Sequence, residues 1–174
     1  MNEIIQNMTE RRSCRVYKEE QIKEEELTDI LTAGKWAPSG KGAQSPMFVV
    51  VQDNELIKKL AKMNALVMGK DIDPFYGAPT LIIVFADSTR NTYVEDGSLA
   101  MGNMMNAAHS LGIGSCWIHR AKEVFETEEG RELMKEWKVP NTYVGIANCI
   151  LGYPNYELPE GKPRKDNYVI YVRN

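Results

Sequence analysis

The sequence is poor in residues that usually carry chemistry unaided. Its 174 residues include two histidines and three cysteines. It has no Cys-x-x-Cys pair, no His-Glu-x-x-His and no Gly-x-Ser-x-Gly. The zinc ligand sets and nucleophile-plus-base arrangements that those spacings mark are therefore excluded, and no catalytic side chain and no metal ligand is expected. Cys14, Cys116 and Cys149 leave an odd thiol and read as reduced thiols of a cytoplasmic protein. Positive charge is not in excess: 21 Lys and Arg face 24 Asp and Glu, a net charge of -3. A duplex-binding domain usually carries the opposite bias, so nucleic acid is not an expected partner. Long apolar runs are missing too. Met47–Val51 and Leu81–Ala86 are far shorter than the ~20 residues a membrane span needs. Met1–Gln6 lacks the basic-then-apolar order of a signal peptide.

What is present suits one domain over residues 1–174, with no repeat, low-complexity tract or Gly/Ser linker. Helical spacing appears over residues 2–9 (Ile4, Ile5, Met8) and 24–36 (Leu27, Ile30, Leu31, Gly34), the second opened by Glu24–Glu26 and stopped by Pro38. A further helix is expected over 54–63. Tyr93–Leu111 predicts a long central helix, apolar nearly all round and so buried on several sides, ending at Gly112. Glu123–Trp137 reads as one polar helix. Strands are expected at 47–51 and 81–86, both buried, and at 113–118, 143–151 and 168–172. The fold class is α+β: a sandwich of helices on a mixed, mainly antiparallel sheet.

Four segments concentrate the chemistry. In extended backbone, Arg11, Ser13 and Arg15 share a face, while Arg12 points elsewhere. Two guanidiniums and a hydroxyl on one face suit a phosphate or carboxylate, although a solvated basic turn has the same composition. Pro38-Ser39-Gly40-Lys41-Gly42-Ala43-Gln44 is a loop whose backbone can approach a ligand closely, without the spacing of a phosphate loop. Gly112–Arg120 puts Trp117, Ile118, His119 and Arg120 at a strand end, where open α/β folds place ligands. Lys162, Arg164 and Lys165 form a late cationic cluster that serves either an anion or solvent. His109, inside the long helix, reads as structural. With no nucleophile in view, the chemistry of an enzyme built this way falls to a cofactor.

Taken in order, these segments resemble the flavin-dependent nitroreductase family. The resemblance rests on Arg11-Arg12-Ser13-Cys14-Arg15-Val16-Tyr17, Ala37-Pro38-Ser39-Gly40 with Gln44, Gly77-Ala78-Pro79, Leu111–Ile118, Leu151-Gly152-Tyr153-Pro154, and Lys162 with Arg164. It implies a nitroreductase-like α+β homodimer with FMN at the subunit interface. NADH or NADPH would be the reductant, and the oxidant a nitroaromatic, quinone or similar electron-poor acceptor, in a ping-pong scheme. It implies Arg11 at the phosphate, Ser13 and Arg12 beside it, and Arg15 there or at the pyrimidine edge. Pro38, Ser39 and Gly40 would line the ring from the partner, and Gln44 would be a further cofactor contact. Trp117–Arg120 would approach the reactive flavin nitrogen through backbone donors, and Lys162 and Arg164 would be phosphate ligands. Asn64 matches a ribityl or phosphate contact, at a different spacing. The chain departs from the family in Gly42, where Asn is common, and in Gln44-Ser45-Pro46-Met47, which lacks an aromatic after the Gln-Pro step. It also lacks the long mid-chain excursion of larger members. A flavin-binding or flavin-buffering protein without turnover is the competing reading.

Overall fold

The computed structural model describes residues 1–173. Four strands, β1 (Pro46–Val51), β2 (Thr80–Asp87), β3 (Gly114–Ile118) and β4 (Tyr143–Gly152), form one sheet in the order β1-β2-β4-β3. Every neighbouring pair is antiparallel; the parallel element is a single bridge between Ser13 and Ser115. Period-two alternation lets β2 supply two cores at once. Leu81, Ile83 and Phe85 face one, and Ile82, Val84 and Ala86 face the other. All six are fully buried.

Six helices cover the two faces. On one side lie α2 (Glu24–Lys35) and α4 (Tyr93–Ser110), packed through Leu27, Ile30, Met101 and Met104. Gly34 makes their approach possible, since a Cβ there would stand 2.7 Å from the Met104 side chain. On the other side lie α3 (Asn54–Met68), α5 (Ala121–Glu126) and α6 (Glu128–Glu136), with Ile57, Leu60, Val124, Phe125 and Leu133. Phe85, Phe125 and Trp137 continue as edge-to-face contacts with centroids 4.8 and 5.9 Å apart. The short α1 (Glu3–Glu10) buries no residue and is tethered by Asn7 Nδ2, which donates to Asn106 O of α4 at 2.9 Å.

Five expectations change. The helix expected over 123–137 is two helices, because the Thr127 backbone turns extended (φ -68°, ψ 160°) and its hydroxyl accepts from Gly130 N at 3.0 Å. The helix at 54 runs on to Met68, where Gly69 ends it in left-handed conformation. β1 is an edge strand with only Val51 buried, not a buried strand. The segment 168–172 forms no strand and leaves Tyr168, Ile170 and Val172 71%, 86% and 90% exposed. A run of β-branched and aromatic residues becomes a strand only where a ladder accepts it, and none does so here. Finally, α4 is buried on one side only. Asp96, Gly97, Ala100, Met101, Met104 and Ala108 face inward, whereas Val94 and Leu99 are exposed and Gly102 faces open space.

Candidate active site

The residues Arg11–Arg15 run in extended backbone along the free edge of β3. Cys14 N donates to Ser115 O at 2.9 Å, and the Ser13–Ser115 bridge fixes the register. The expected alternation follows. Cys14 is fully buried, while Arg15 is exposed and Arg11 and Ser13 half-buried. Arg12 turns back, as expected of the off-face residue, and donates to Thr9 O and Arg11 O at 2.7 Å each. Its guanidinium packs on Gly161, where any Cβ would collide with it. The segment holding Lys162 and Arg164 is thereby brought beside Arg12, with both side chains exposed.

The same edge collects polar atoms that are buried yet lack a hydrogen-bond partner: Arg11 Nη1, Arg12 Nε and Ser115 Oγ, joined by Asn64 Oδ1 from α3. A buried group left unpaired costs about 1–3 kcal/mol, more if charged. Ser115 lies inside a quoted motif but was not expected in the site. Its signal was available, because Gly114-Ser115-Cys116 lies in the Gly-rich start of the strand beside Ser13.

β3 leads through His119 and Arg120 into α5. Asn64 is fully buried, and its Nδ2 donates to His119 O at 2.9 Å. That partner also fixes the amide orientation, leaving Oδ1 as the unpaired end. Asn64 therefore ties α3 to the backbone just after β3. Arg120 then takes a left-handed conformation (φ 75°) and caps α5. A cavity of about 200 Å³ is walled by Arg15, Tyr76, Trp117, Ile118, His119 and Arg120, with Met68 and Ile72 beside them. The Arg15 guanidinium sits 6.0 Å from the Tyr76 ring centre. Sequence reasoning missed Tyr76, Met68 and Ile72. They lie at the end of α3 and in the loop after it, and nothing local in them marks a site.

The structure separates the Pro38–Gln44 loop from this group. The loop precedes β1 on one sheet edge, and Trp117–Arg120 form the end of β3 and the two residues after it on the other. Three strand spacings intervene, about 14 Å. A buried carboxylate shapes the loop. Asp96, 2% exposed, accepts from Gly40 N at 2.9 Å, Ser45 Oγ at 2.6 Å and Thr92 Oγ1 at 3.2 Å. Burial presses its carboxyl upward, but the Ser45, Gly40 and Thr92 bonds outweigh burial and hold it below the ordinary value. Gln44 N donates to Ser39 Oγ at 2.9 Å, and Lys41, Gly42 and Gln44 are all left-handed. The Gln44 and Pro38 side chains are exposed, and Ser39 is half-buried.

Burial raises Cys14 and pushes Cys149 up to about 12, so neither is a thiolate at neutral pH. His109 is half-buried and held below its ordinary value by burial, then by Arg11 and Arg12, against Glu10. Among the described residues no group of three His, Cys, Asp or Glu could hold a metal, and no helix is long and apolar enough to cross a membrane.

A three-layer α+β sandwich with an anion-seeking strand edge is one architecture among several, and the comparisons narrow it. The nitroreductase family model matches residues 8–70 and 70–153. A protein of Archaeoglobus fulgidus with the provisional name NADH dehydrogenase/NAD(P)H nitroreductase is 35% identical over 163 residues, covering 90% of this chain and 88% of its own. An FMN reductase [NAD(P)H] of Bacillus subtilis is 27% identical over 177 residues, covering 88% of this chain and 67% of its own. Among solved structures, a nitroreductase with bound FMN from Bacteroides fragilis superposes with a TM-score of 0.91 at 29% identity, covering 99% of this chain and 100% of that one. The chain belongs to the nitroreductase family.

Proposed function

We propose that this protein is an FMN-dependent NAD(P)H oxidoreductase that acts as a homodimer on an electron-poor small molecule such as a nitroaromatic or quinone. The carrying observation is a set of buried, unpartnered polar atoms on three segments that meet at β3: Arg11 Nη1 and Arg12 Nε beside the strand edge, Ser115 Oγ on the strand, and Asn64 Oδ1 on α3. They fit FMN group by group. Two guanidinium donors suit a phosphate that carries close to two negative charges, and charge-assisted bonds of this kind are the strong ones. The Ser115 hydroxyl and the Asn64 amide oxygen suit a ribityl chain or a ring edge, each able to meet donors that polyols and pyrimidines offer.

When bound, FMN supplies two-electron chemistry, taking hydride from a reduced nicotinamide and passing it to an acceptor that uses the same site in turn, a ping-pong scheme. The chain's own residues bind and orient. Arg11, with Arg12, Ser13, Lys162 and Arg164, would hold the phosphate, and Arg15 would meet the pyrimidine edge. The His119–Arg120 segment, held by Asn64, would present backbone donors to the ring. Placing two reactants face to face provides most of the rate, and no side chain is required as an obligatory acid or base.

The separation of the two half-sites supports the dimer reading. Pro38–Gln44 and Trp117–Arg120 lie on opposite sheet edges, so one flat ring touched by both needs the loop of a second copy. Exposed apolar surface supports this: Ile4 and Met8 of α1, Trp36, and Leu99 of α4.

The decisive measurement is the visible spectrum of the purified protein before and after anaerobic NADH or NADPH. A flavin spectrum that bleaches is expected. A flavin that no nicotinamide bleaches would favour a flavin-buffering protein, and a colourless protein that takes up no added FMN would end the reading. Within it, Arg11→Ala should weaken FMN binding by about 1.5–3 kcal/mol, read by fluorescence titration. Unchanged affinity would mean the phosphate lies elsewhere.

A further inference from the structure

A cleft of about 570 Å³ lies away from the β3 edge, between α5, α6 and the start of β4. That volume is within the range of small-molecule sites, about 300–1,000 Å³. Its floor is apolar: Phe125, Met134 and Val139 are buried, with Tyr143 half-buried at the wall. Its rim is cationic. Arg131 and Lys135 stand four residues apart on one face of α6, and Lys138 follows the helix end. None of the three forms an ion pair among the described residues. The one carboxylate lining the cleft, Glu126, is 3.8 Å from Lys122. Lys138 is also left-handed (φ 59°), at a helix end where glycine is the usual occupant. Strained residues of this kind cluster at functional sites.

The cleft adjoins the candidate active site. A smaller cavity of about 160 Å³ shares His119 and Arg120 with the Arg15 cavity, and Val144 with the cleft. The three follow one another along α5, a helix of six residues spanning about 9 Å. A nicotinamide placed at the His119–Arg120 segment therefore has its second nucleotide within reach of the cleft.

We infer that this cleft takes the adenylate half of the nicotinamide dinucleotide, with Arg131, Lys135 and Lys138 meeting its phosphates and the adenine lying on the Phe125–Tyr143 floor. The inference rests on the hydride-transfer reading above and extends it to the choice of reductant. A 2′-phosphate adds close to two negative charges opposite three unpaired cations, so NADPH binds more tightly than NADH. The ammonium groups of Lys135 and Lys138, at the C-terminal end of α6, also offset its dipole. A role confined to that offset leaves dinucleotide binding untouched, which makes the two roles separable.

The test uses the FMN-loaded protein. 2′,5′-ADP is titrated calorimetrically into the native chain and into the double variant Arg131→Ala/Lys135→Ala, and KM is measured for NADPH, NADH and reduced nicotinamide mononucleotide. The expected result is that 2′,5′-ADP binds, competes with NADPH, and is weakened about tenfold or more in the variant. KM should rise more for NADPH than for NADH. The mononucleotide, which lacks the adenylate, should show the same KM in both proteins. Lys138→Gly is the second variant. Relief of the left-handed backbone should raise Tm while 2′,5′-ADP affinity falls. Absent binding, binding without competition, equal binding by the native and variant proteins, or NADPH and NADH shifting together would overturn the inference. If no reduced nicotinamide bleaches the flavin, the hydride-transfer reading fails by itself, and the 2′,5′-ADP titration still decides whether the cleft binds adenylates.

Discussion

At the scale of single residues, Asp96 organises more than any candidate named from the sequence. Three donors from two segments converge on it, and they shape the loop expected to line the flavin ring. Its folded pKa is depressed, so its contribution to stability is present in full above about pH 4 and is lost as pH falls through the lower folded value. Asp96→Asn should therefore reduce stability at neutral pH and flatten the acid limb of the stability curve below about pH 4, measured by urea unfolding at stepped pH. An acid limb as steep as in the native protein would place the sensitivity elsewhere. Nothing in the sequence could pair Asp96 with Gly40 and Ser45, because those contacts span more than fifty positions. The Arg11–Arg15 segment was legible for the opposite reason. Its alternation is local, and the strand edge merely reads it out. His109 offers a second residue-scale check. Burial and the neighbouring arginines depress it, so a phosphate dianion at Arg11 and Arg12 should raise it. A ¹H NMR titration of its imidazole with and without FMN measures this directly, and an unmoved titration would count against that phosphate position.

At the scale of elements, most helices and strands follow from periodicity and end signals, and the misreadings have separate physical causes. The segment 123–137 is polar or charged from Glu126 to Glu132, Gly130 aside, and holds no proline, so it reads as one polar helix. The break is written in capping chemistry instead. Thr127 Oγ1 donates to Val124 O at 2.7 Å and accepts from Gly130 N at 3.0 Å, closing α5 and opening α6 with one side chain. Gly130 must stay small, since a Cβ there would stand 2.7 Å from Phe125 Cα. Thr127→Ala should cost about 1 kcal/mol of stability, within the range of N-cap losses, in chemical denaturation. Thr127→Ser should recover most of it, because the hydroxyl is retained. A loss for serine equal to that for alanine would mean that the methyl packing, not the cap, holds the junction. The segment 168–172 is the complementary case. Its composition is that of a strand, but strand formation needs a partner edge, and composition does not say where that edge lies.

At the scale of the whole molecule, the fold separates what the function has to bring together. The sheet puts the Pro38–Gln44 loop on one edge and the Arg11–Arg15 and Trp117–Arg120 segments on the other. The outer side of α4 between them, with Leu99 exposed and Gly102 open, is unpartnered within one chain. If a second copy covers that side and supplies the loop, flavin affinity and self-association become one equilibrium. Anything that binds only the paired state stabilises it by mass action. The native protein should therefore sediment as a dimer and release FMN on dilution, with FMN fluorescence rising over the same concentration range in which the dimer dissociates. Leu99→Arg places a charge on the open side of α4, far from the Arg11 and Arg12 guanidiniums in sequence and on a surface that no residue of the same chain covers. It should shift both curves together to higher protein concentration while leaving the far-UV circular dichroism of the chain intact. If dissociation shifts and FMN retention does not, each chain holds its flavin alone, and the loop on the far sheet edge has no part in the site.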